Sequence, residues 1–373
     1  MPALPGPAAR ALTVAVALAV GAAVVIGLSY DSTDRPTAQP TVSDEILVIG
    51  HRGASGERPE NTMAAFELAI RMGADYLELD LVSTKDGVLV VRHENELSQT
   101  TDVAEHAEFA DRRTTKLIDG RSVAGWFTED FTLPEIKTLR AVERFRETRQ
   151  ANTSYDGQFE IPTLQEVLDL ALASGVGLYP EIKHSTYYDS IDLSLEEPLI
   201  AALQANDLDD ADDEIFVQSF ESANLRELNR LLDVRLIQLI LEAGAPYDVV
   251  ASGEGLNYAD MVTKSGLREI ATYADGIGPD KDLIIPRNAV DSLGGATTLA
   301  ADAHDAGLLV HTYTFRAENE FLPTDLRSSD DPAEAGDLAA ELEAFLSIGV
   351  DGVITDNPDI AVSARTALQA ASD

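Results

Sequence analysis

The sequence predicts an α/β fold in which parallel strands close into a ring. Short runs rich in β-branched and aromatic residues alternate with amphipathic helical patterns from Ile46 onward, an order typical of parallel α/β proteins. The Asp86-Gly87 pair between two apolar runs indicates a β-hairpin, so one run is its return arm. The runs that remain number eight, as a TIM (β/α)8 barrel requires.

Nine runs have the composition and the flanking turn residues of β-strands. They are Ile46–Ile49, Tyr76–Val82, Val88–Arg92, Gly177–Ile182, Ile215–Ser219, Arg235–Ile240, Asp275–Gly278, Leu308–Tyr313 and Gly352–Thr355. A two-residue Asp86-Gly87 turn pairs Asp80 with His93 across the hairpin. Glu78 lies on the same face as Asp80, because strand side chains alternate.

Capping signals mark three of the connecting helices. Thr62 precedes an apolar helical face, and Thr163 and Thr132 each begin a capping box with a glutamate three residues later. The span from about 96 to 161 is too long for a simple connection between strands. It predicts a small helical insertion over the mouth of the barrel, after the hairpin that follows strand 2, with a helix over Pro134–Arg146.

The N-terminal segment predicts export. Residues 11–28 form an uncharged, mostly apolar stretch, long for a signal-peptide core and short for a spanning helix. Residues 1–28 are therefore either a cleaved signal peptide or a retained signal anchor, and both leave the rest periplasmic or extracellular. The polar residues 29–45 predict a linker, and residues 46–373 predict a single barrel domain.

Composition narrows the class of partner. The chain has 373 residues, no cysteine and a formal net charge of −38. Without cysteine there are no disulfides, zinc–thiolate sites or thiol catalysis. The negative charge opposes binding to nucleic acid and to anionic lipid surfaces, but salt screens it beyond about 8 Å, so a local cationic site still binds a small anion. We expect a small-molecule partner, no nucleic acid, and membrane contact only through residues 11–28.

Chemically active side chains follow the predicted strands, at the end of the barrel where active sites lie. They are His51, Arg52, Glu78, Asp80, His93, Glu181, Lys183, Gln218, Phe220, His311, Tyr313, Thr355 and Asp356. Three carboxylates would lie around one point, those of Glu78, Asp80 and Glu181. Because like charges that close repel one another, they need a bound cation or raised pKa values. An all-oxygen set of this kind suits Ca²⁺ or Mg²⁺ rather than zinc.

The positive side chains at the same end suit a phosphate. Arg52, Lys183 and a cation together match a phosphate oxyanion. Hydrolysis of a phosphodiester also needs a base for the nucleophile and an acid for the leaving oxygen. His51 and His93 are able to supply both roles near neutral pH. The remaining predicted substrate contacts are Gln218, Phe220 and Tyr313.

Ordered motifs run through the chain. They are His51-Arg52-Gly53, Pro59-Glu60-Asn61-Thr62, Glu78-Leu79-Asp80, Thr84-Lys85-Asp86-Gly87, Val90-Val91-Arg92-His93, Tyr179-Pro180-Glu181-Ile182-Lys183 and Gly352-Val353-Ile354-Thr355-Asp356. Together they resemble the glycerophosphodiester phosphodiesterase family, over roughly Ile46 to Ala361. The segments 274–280 and 310–314 are similar to its long periplasmic, calcium-dependent branch.

The resemblance implies hydrolysis of glycerophosphodiesters, such as glycerophosphocholine or glycerophosphoethanolamine, to sn-glycerol 3-phosphate and an alcohol. It assigns His51 and His93 as the acid–base pair, Glu78, Asp80 and Glu181 as metal ligands, and Arg52 and Lys183 as phosphate contacts. Glu60 corresponds to an acidic residue that supports the site. The family usually has aspartate after the second histidine, where this chain has Glu94, and this departure concerns the orientation of His93.

Two mechanisms and two rival functions stay open. Either the substrate's glycerol hydroxyl attacks first, through a cyclic phosphate, or water attacks directly. The first rival is a phospholipase D-type enzyme on acylated lysophospholipids, for which Trp126, Phe127 and Phe131 would offer an apolar path. The second is a noncatalytic exported binding protein on the same barrel. The cofactor is predicted to be Ca²⁺, with Mg²⁺ as the alternative.

Overall fold

Eight parallel strands form the closed barrel that the sequence predicts. The computed structural model describes residues 46–372. The strand order is β1-β11-β10-β9-β8-β7-β6-β2, and β1 also pairs with β2, which closes the ring. The strands are β1 (Leu47–Gly50), β2 (Tyr76–Ser83), β3 (Leu89–Val91), β4 (Thr114–Ile118), β5 (Arg121–Gly125), β6 (Gly177–Ile182), β7 (Phe216–Ser219), β8 (Arg235–Ile240), β9 (Gly276–Pro279), β10 (Leu309–Phe315) and β11 (Gly352–Thr355).

Helices follow most barrel strands and cover the outside of the sheet. They are α1 (Met63–Met72), α2 (Leu133–Ile136), α3 (Leu164–Ser174), α4 (Ser185–Asp189), α5 (Glu196–Ala205), α6 (Ser222–Leu231), α7 (Tyr247–Ser252), α8 (Tyr258–Met261), α9 (Lys264–Ile270), α10 (Lys281–Ile284), α11 (Leu299–Asp305), α12 (Leu338–Leu346) and α13 (Pro358–Ser372). The predicted caps are confirmed. The Thr62 hydroxyl accepts from the backbone N–H of Ala65 at the start of α1, and Thr163 and Thr132 form complete capping boxes.

The barrel interior has an apolar floor and a polar mouth. On three adjacent strands an aromatic ring lies deep and a polar side chain lies two residues later, because alternate residues face the same side. The pairs are Tyr76 and Glu78 on β2, Tyr179 and Glu181 on β6, and Phe216 and Gln218 on β7. The three rings contact one another edge-on or stacked and are buried. Burying each ring contributes about 1.5–3 kcal/mol, so the floor is a rigid base for the polar groups above it.

The hairpin loop contains three residues, 85–87, rather than two. Thr84 and Val88 close the loop, since the Thr84 N–H donates to the Val88 carbonyl at 3.0 Å. Gly87 adopts φ 76° and donates to the Thr84 carbonyl at 3.0 Å. This is a turn followed by a left-handed glycine, a common three-residue hairpin connection.

The extra loop residue shifts the hairpin register by one. Leu81 pairs with Val91, so the predicted pairing of Asp80 with His93 is wrong. The Asp80 carbonyl accepts instead from the N–H of Arg92 at 2.8 Å. His93 lies beyond the last ladder pair, where the chain leaves the strand. Its side chain therefore reaches the mouth of the barrel without obeying strand alternation.

The insertion between β3 and α3 is less helical than predicted. It holds the antiparallel pair β4–β5, several short 3₁₀ segments and α2. The predicted helix over Pro134–Arg146 is wrong beyond Ile136. Tertiary hydrogen bonds replace helical ones there: the N–H groups of Ala141 and Val142 donate to the carbonyls of Phe159 and Thr100, at 2.8 and 3.0 Å.

The predicted signal segment (residues 1–28) and linker (residues 29–45) lie outside the described residues. Both therefore stay predictions, as does export. Among residues 46–372, no helix has the length and apolar character needed to cross a bilayer.

The turn after β1 requires glycine at position 53. Gly53 has φ 83°, and a Cβ there would lie 2.5 Å from the backbone carbon of Ala65. We expect Gly53→Ala to lower the free energy of unfolding in urea by about 2–5 kcal/mol, from left-handed strain plus overpacking. Gly87→Ala is the matched control, because Gly87 also has positive φ but nothing within 4 Å of such a Cβ. It should cost about 1–2 kcal/mol. Equal losses in the two variants would contradict the steric argument.

Candidate active site

Three buried carboxylates converge at the mouth of the barrel. Asp80 on β2 lies beside Glu181 on β6 in the parallel register, and Glu78 lies two residues before Asp80 on the same face. One oxygen from each side chain lies within 4.8 Å of the others. Their residues are at most 5% exposed. The predicted metal-ligand set is therefore brought together.

Two cations offset part of this negative charge. The Lys183 ammonium lies 2.7 Å from Glu181 Oε1 and 3.1 Å from Asp80 Oδ1. Arg52 donates its backbone N–H to Glu78 Oε2 at 2.8 Å, and its Nε lies 3.1 Å from Asp80 Oδ2. Three carboxylates thus face two positive groups. Both predicted phosphate contacts are bound to carboxylates, so a bound phosphate would share them.

The pKa values of the three carboxyl groups shift in different directions in this environment. Burial raises the pKa of Glu78 well above its usual value, and the Asp80 charge adds to the effect. Burial also raises the pKa of Glu181 to about 7, although Lys183 opposes it. For Asp80, Lys183 and Arg52 outweigh burial and hold the pKa well below its usual range. Ionising all three carboxylates together is therefore unfavourable without a further positive charge.

The donor set fits a divalent cation of the calcium or magnesium type. All three side chains offer oxygen, and within residues 46–372 the buried Asp80 Oδ1 and Glu181 Oε1 have no hydrogen-bond partner apart from their ion pairs with Lys183. A hard cation prefers oxygen ligands of this kind, and its charge would favour the ionised form of Glu78 and Glu181. Glu78, Asp80 and Glu181 are the residues that would hold it.

His51 is oriented by a buried aspartate. Its Nδ1 lies 2.5 Å from Asp356 Oδ1, directly after the paired ends of β1 and β11. Burial raises the pKa of Asp356, but Arg316 and Arg149 outweigh it and hold the pKa well below its usual range. An ionised carboxylate only accepts, so Nδ1 carries the hydrogen and Nε2 is left as the basic atom. Burial and the Arg52 charge lower the pKa of His51 to about 4.

His93 has an equivalent partner in the next residue. Its Nδ1 lies 2.6 Å from Glu94 Oε1, and Arg144 donates to both Glu94 oxygens at 2.8 and 2.7 Å. Partial burial, with the Arg52 and Lys183 charges, lowers the pKa of His93 to about 3. Both imidazoles are therefore neutral at pH 7 in the free protein, each with Nδ1 on a carboxylate.

A cleft of about 1060 Å³ is lined by both imidazoles and by Glu78, Glu181, Arg52 and Lys183, whereas Asp80 is fully buried beside them. The other predicted substrate contacts, Gln218, Phe220 and Tyr313, also line it. Gln218 donates to Glu78 Oε1 at 3.1 Å, and the Phe220 ring packs edge-on against Tyr313. Glu60 lies behind Arg52, with which it pairs at 3.1 Å. The cleft thus joins the carboxylates and both imidazoles to an aromatic wall.

Several residues at the site had no predicted role. Asp356 was only one of the residues at strand ends, although a closed barrel places the last strand beside the first, and hence Asp356 beside His51. Asn61 donates to Asp80 Oδ2 at 2.8 Å, and it stands in the motif Pro59-Glu60-Asn61-Thr62, where it was assigned no role. Arg144 and Arg149 come from irregular chain in the insertion, where the sequence predicted a helix that extends to Arg146.

Two other histidines lie at different depths in the barrel. His184 lines the cleft and bonds to Asp119 through Nδ1 at 2.5 Å. His311 is fully buried in the barrel interior, where Nδ1 lies 2.8 Å from the Tyr179 hydroxyl. It lies below the mouth, beside the aromatic floor.

Comparisons with known proteins concern the family and the fold. Residues 51–360 match the model of the glycerophosphoryl diester phosphodiesterase family. A glycerophosphodiester phosphodiesterase of Arabidopsis thaliana is 36% identical over 335 residues, 86% of each chain. One of Haemophilus influenzae is 30% identical over 381 residues, 94% of this chain and 97% of its own. The fold is similar to an Oleispira antarctica phosphodiesterase solved with the product sn-glycerol-3-phosphate, with a TM-score of 0.56, 20% identity, and coverage of 85% and 96% of the two chains.

Proposed function

The chain belongs to the glycerophosphoryl diester phosphodiesterase family, and we propose that it hydrolyses glycerophosphodiesters to sn-glycerol 3-phosphate and an alcohol with His51 and His93 as acid and base. Its enzyme class, a glycerophosphodiester phosphodiesterase, follows from the family. The substrates proposed are glycerophosphocholine and glycerophosphoethanolamine. Both would release sn-glycerol 3-phosphate and differ only in the alcohol.

One observation supports the proposal most strongly. Two imidazoles, each with Nδ1 on a carboxylate, line one cleft beside a buried set of three carboxylates. Hydrolysis of a phosphodiester needs a base, an acid and a concentration of positive charge. The imidazoles suit the first two roles, and a cation held by the carboxylates would add the positive charge; noncatalytic binding requires neither imidazole. This arrangement also argues against the noncatalytic rival.

The proton transfers are assigned to Nε2 of each histidine. One imidazole takes the proton from the attacking hydroxyl or water oxygen as the new P–O bond forms. The other gives a proton to the alcohol oxygen as the old P–O bond breaks, so protons balance over the reaction. Burial and the Arg52 charge lower the pKa of both imidazoles, and a bound phosphodiester anion would offset the Arg52 charge and so raise the pKa of the nearer imidazole, which favours its role as the acid.

A divalent cation at Glu78, Asp80 and Glu181 would supply Lewis-acid stabilisation of charge on the phosphoryl oxygens. We propose calcium, because the sequence resembles the calcium-dependent branch. Arg52 and Lys183 bind the same anion from the protein side and fix its orientation. Titrating metal-free enzyme with Ca²⁺ and Mg²⁺ separately, with activity as readout, tests the choice. Greater activity with Mg²⁺ would contradict calcium.

Release of sn-glycerol 3-phosphate from glycerophosphocholine tests the proposed function. Purified full-length protein loaded with calcium should produce it, and addition of a chelator in excess should abolish the reaction. A coupled dehydrogenase assay for glycerol 3-phosphate measures the rate. A rate indistinguishable from the uncatalysed one with both named diesters and both cations would refute the proposal.

A second candidate substrate is an acylated lysophospholipid. Trp126, Phe127 and Phe131 do not support it, since none of them lines the cleft and both phenylalanines are fully buried. The outer cleft is nevertheless apolar where Leu241 and Val250 line it, and these side chains are 39% and 58% exposed. Assaying lysophosphatidylcholine beside glycerophosphocholine separates the two. A higher kcat/KM on the acylated substrate would favour this second candidate.

A further inference from the structure

We propose that two arginines of the insertion, Arg144 and Arg149, position both acid–base histidines. Each acts through the carboxylate that accepts the Nδ1 hydrogen bond of one histidine. The inference rests on the proposed function, because it takes His51 and His93 as the acid–base pair. It gives the insertion a part in catalysis beyond covering the mouth of the barrel.

Arg149 controls the partner of His51. Its Nη2 donates to Asp356 Oδ2 at 2.6 Å, while Asp356 Oδ1 faces the imidazole at 2.5 Å. The same guanidinium binds Glu318 through Nε at 2.5 Å and the Ser55 carbonyl through Nη1 at 2.8 Å. Its side chain is only 4% exposed, so these contacts are shielded from water and salt. Glu318 and Ser55 thus fix the guanidinium, which holds Asp356 together with Arg316, whose Nε donates to the same Oδ2 at 2.9 Å.

Arg144 makes the matching contacts for His93. Nη1 and Nη2 donate to the two oxygens of Glu94 at 2.8 and 2.7 Å, and Glu94 Oε1 faces His93 Nδ1 at 2.6 Å. Nε and Nη2 also donate to Glu60 at 2.6 Å each. Glu60 in turn accepts from Arg52 at 3.1 and 3.2 Å. Glu94 directly follows His93 in the chain. Without Arg144, the Glu94 side chain would be free to rotate into solvent.

The contacts of Arg149 and those of Arg144 have the same physical effect. A guanidinium that holds a carboxylate in place keeps it ionised and aimed at Nδ1, which fixes both the tautomer and the ring orientation. Nε2 is then the basic atom of both rings. A misplacement of about 1 Å in a proton-transfer group costs on the order of 100-fold in rate. Loss of either arginine should therefore lower kcat more than substrate binding.

Arg144→Ala and Arg149→Ala test the inference, with Arg146→Ala as the matched control. Arg146 lies in the same segment, is 56% exposed at its side chain, and pairs with Asp156 outside the cleft. In the calcium-loaded enzyme we expect each test variant to lose about 10- to 100-fold in kcat, with KM and calcium affinity within about twofold of wild type. Arg146→Ala should keep wild-type kcat. Wild-type kcat in both test variants would overturn the inference.

Since Arg149→Ala leaves Asp356 and Glu318 buried without this partner, Arg149→Lys is measured in parallel. Lysine keeps the charge but lacks the planar fork, so its kcat should lie between wild type and the alanine variant. Wild-type kcat in a folded Arg149→Lys, together with wild-type kcat in Arg144→Ala, would also overturn the inference.

A double-mutant cycle separates positioning from a merely structural role. If Arg149 acts through His51, Arg149→Ala should have no further effect on kcat in the His51→Ala background. The same holds for Arg144 with His93. If each arginine lowers kcat by the same factor in both backgrounds, the inference fails although the proposed function stands. If His51→Ala and His93→Ala themselves keep wild-type kcat, the proposed acid–base roles fail instead.

Discussion

Replacing His51 or His93 with alanine is expected to lower kcat for glycerophosphocholine by about 100-fold or more, which is the typical contribution of a positioned acid or base. Each alanine removes an imidazole that lines the cleft and bonds to a carboxylate through Nδ1. The folded barrel should persist, because neither ring belongs to the apolar floor or to the outer core. Steady-state kinetics on calcium-loaded protein, with circular dichroism of each variant, make the measurement.

His304→Ala is the matched control for both substitutions. His304 lies on α11, outside the cleft, and bonds to Asp351 at 2.8 Å. Its loss should leave kcat within about twofold of wild type, since surface substitutions away from a site have small effects. Retention of full kcat in both His51→Ala and His93→Ala would refute their roles in proton transfer. A large loss in His304→Ala as well would show that the effect is not specific to the cleft.

Glu181→Gln is expected to weaken divalent-cation binding by at least about 100-fold. Even groups that only support a metal ligand change affinity by about 10–100-fold when replaced, and Glu181 is one of three oxygen donors within 4.8 Å. Glutamine keeps the volume and removes the charge, so the fold should persist. Isothermal titration of metal-free protein with Ca²⁺ measures the affinity, and raising the calcium concentration should restore part of the activity.

Glu67→Gln is the control for this titration. Glu67 lies on α1 with a side chain 53% exposed, so its loss removes one negative charge without touching the cleft. Its calcium titration should match wild type. An unchanged titration in Glu181→Gln would refute Glu181 as a ligand and weaken the whole three-carboxylate site.

The barrel was predictable because the local strand and helix patterns of the sequence agree with the topology of the whole fold. Runs such as Tyr76–Val82 and Gly177–Ile182 recur as β2 and β6 with bounds that differ by a residue at most. The predicted hairpin register was wrong because one glycine decides the length of the loop. Gly87 adopts a left-handed conformation, and the loop is one residue longer than predicted. Composition alone does not distinguish a two-residue from a three-residue loop around Asp86-Gly87.

The convergence of the three carboxylates was predictable, whereas the support of the histidines was not. Strand alternation and parallel register place Asp80 beside Glu181 whatever the loops do. Arg144 and Arg149 instead reach Glu94 and Asp356 from the insertion, where backbone bonds such as Ala141 to Phe159 replace regular structure. No periodic sequence pattern predicts such contacts. His93 shows the same limit, because it reaches the cleft from beyond the end of β3.

A crystal structure of the full chain grown with Ca²⁺ and sn-glycerol 3-phosphate tests the central claim most directly. We predict one ion in contact with carboxylate oxygens of Glu78, Asp80 and Glu181, at about 2.3–2.6 Å. We also predict the phosphate beside that ion, within hydrogen-bond reach of Nε2 of His51 and His93. An ion held elsewhere, or a phosphate out of reach of both imidazoles, would contradict the claim.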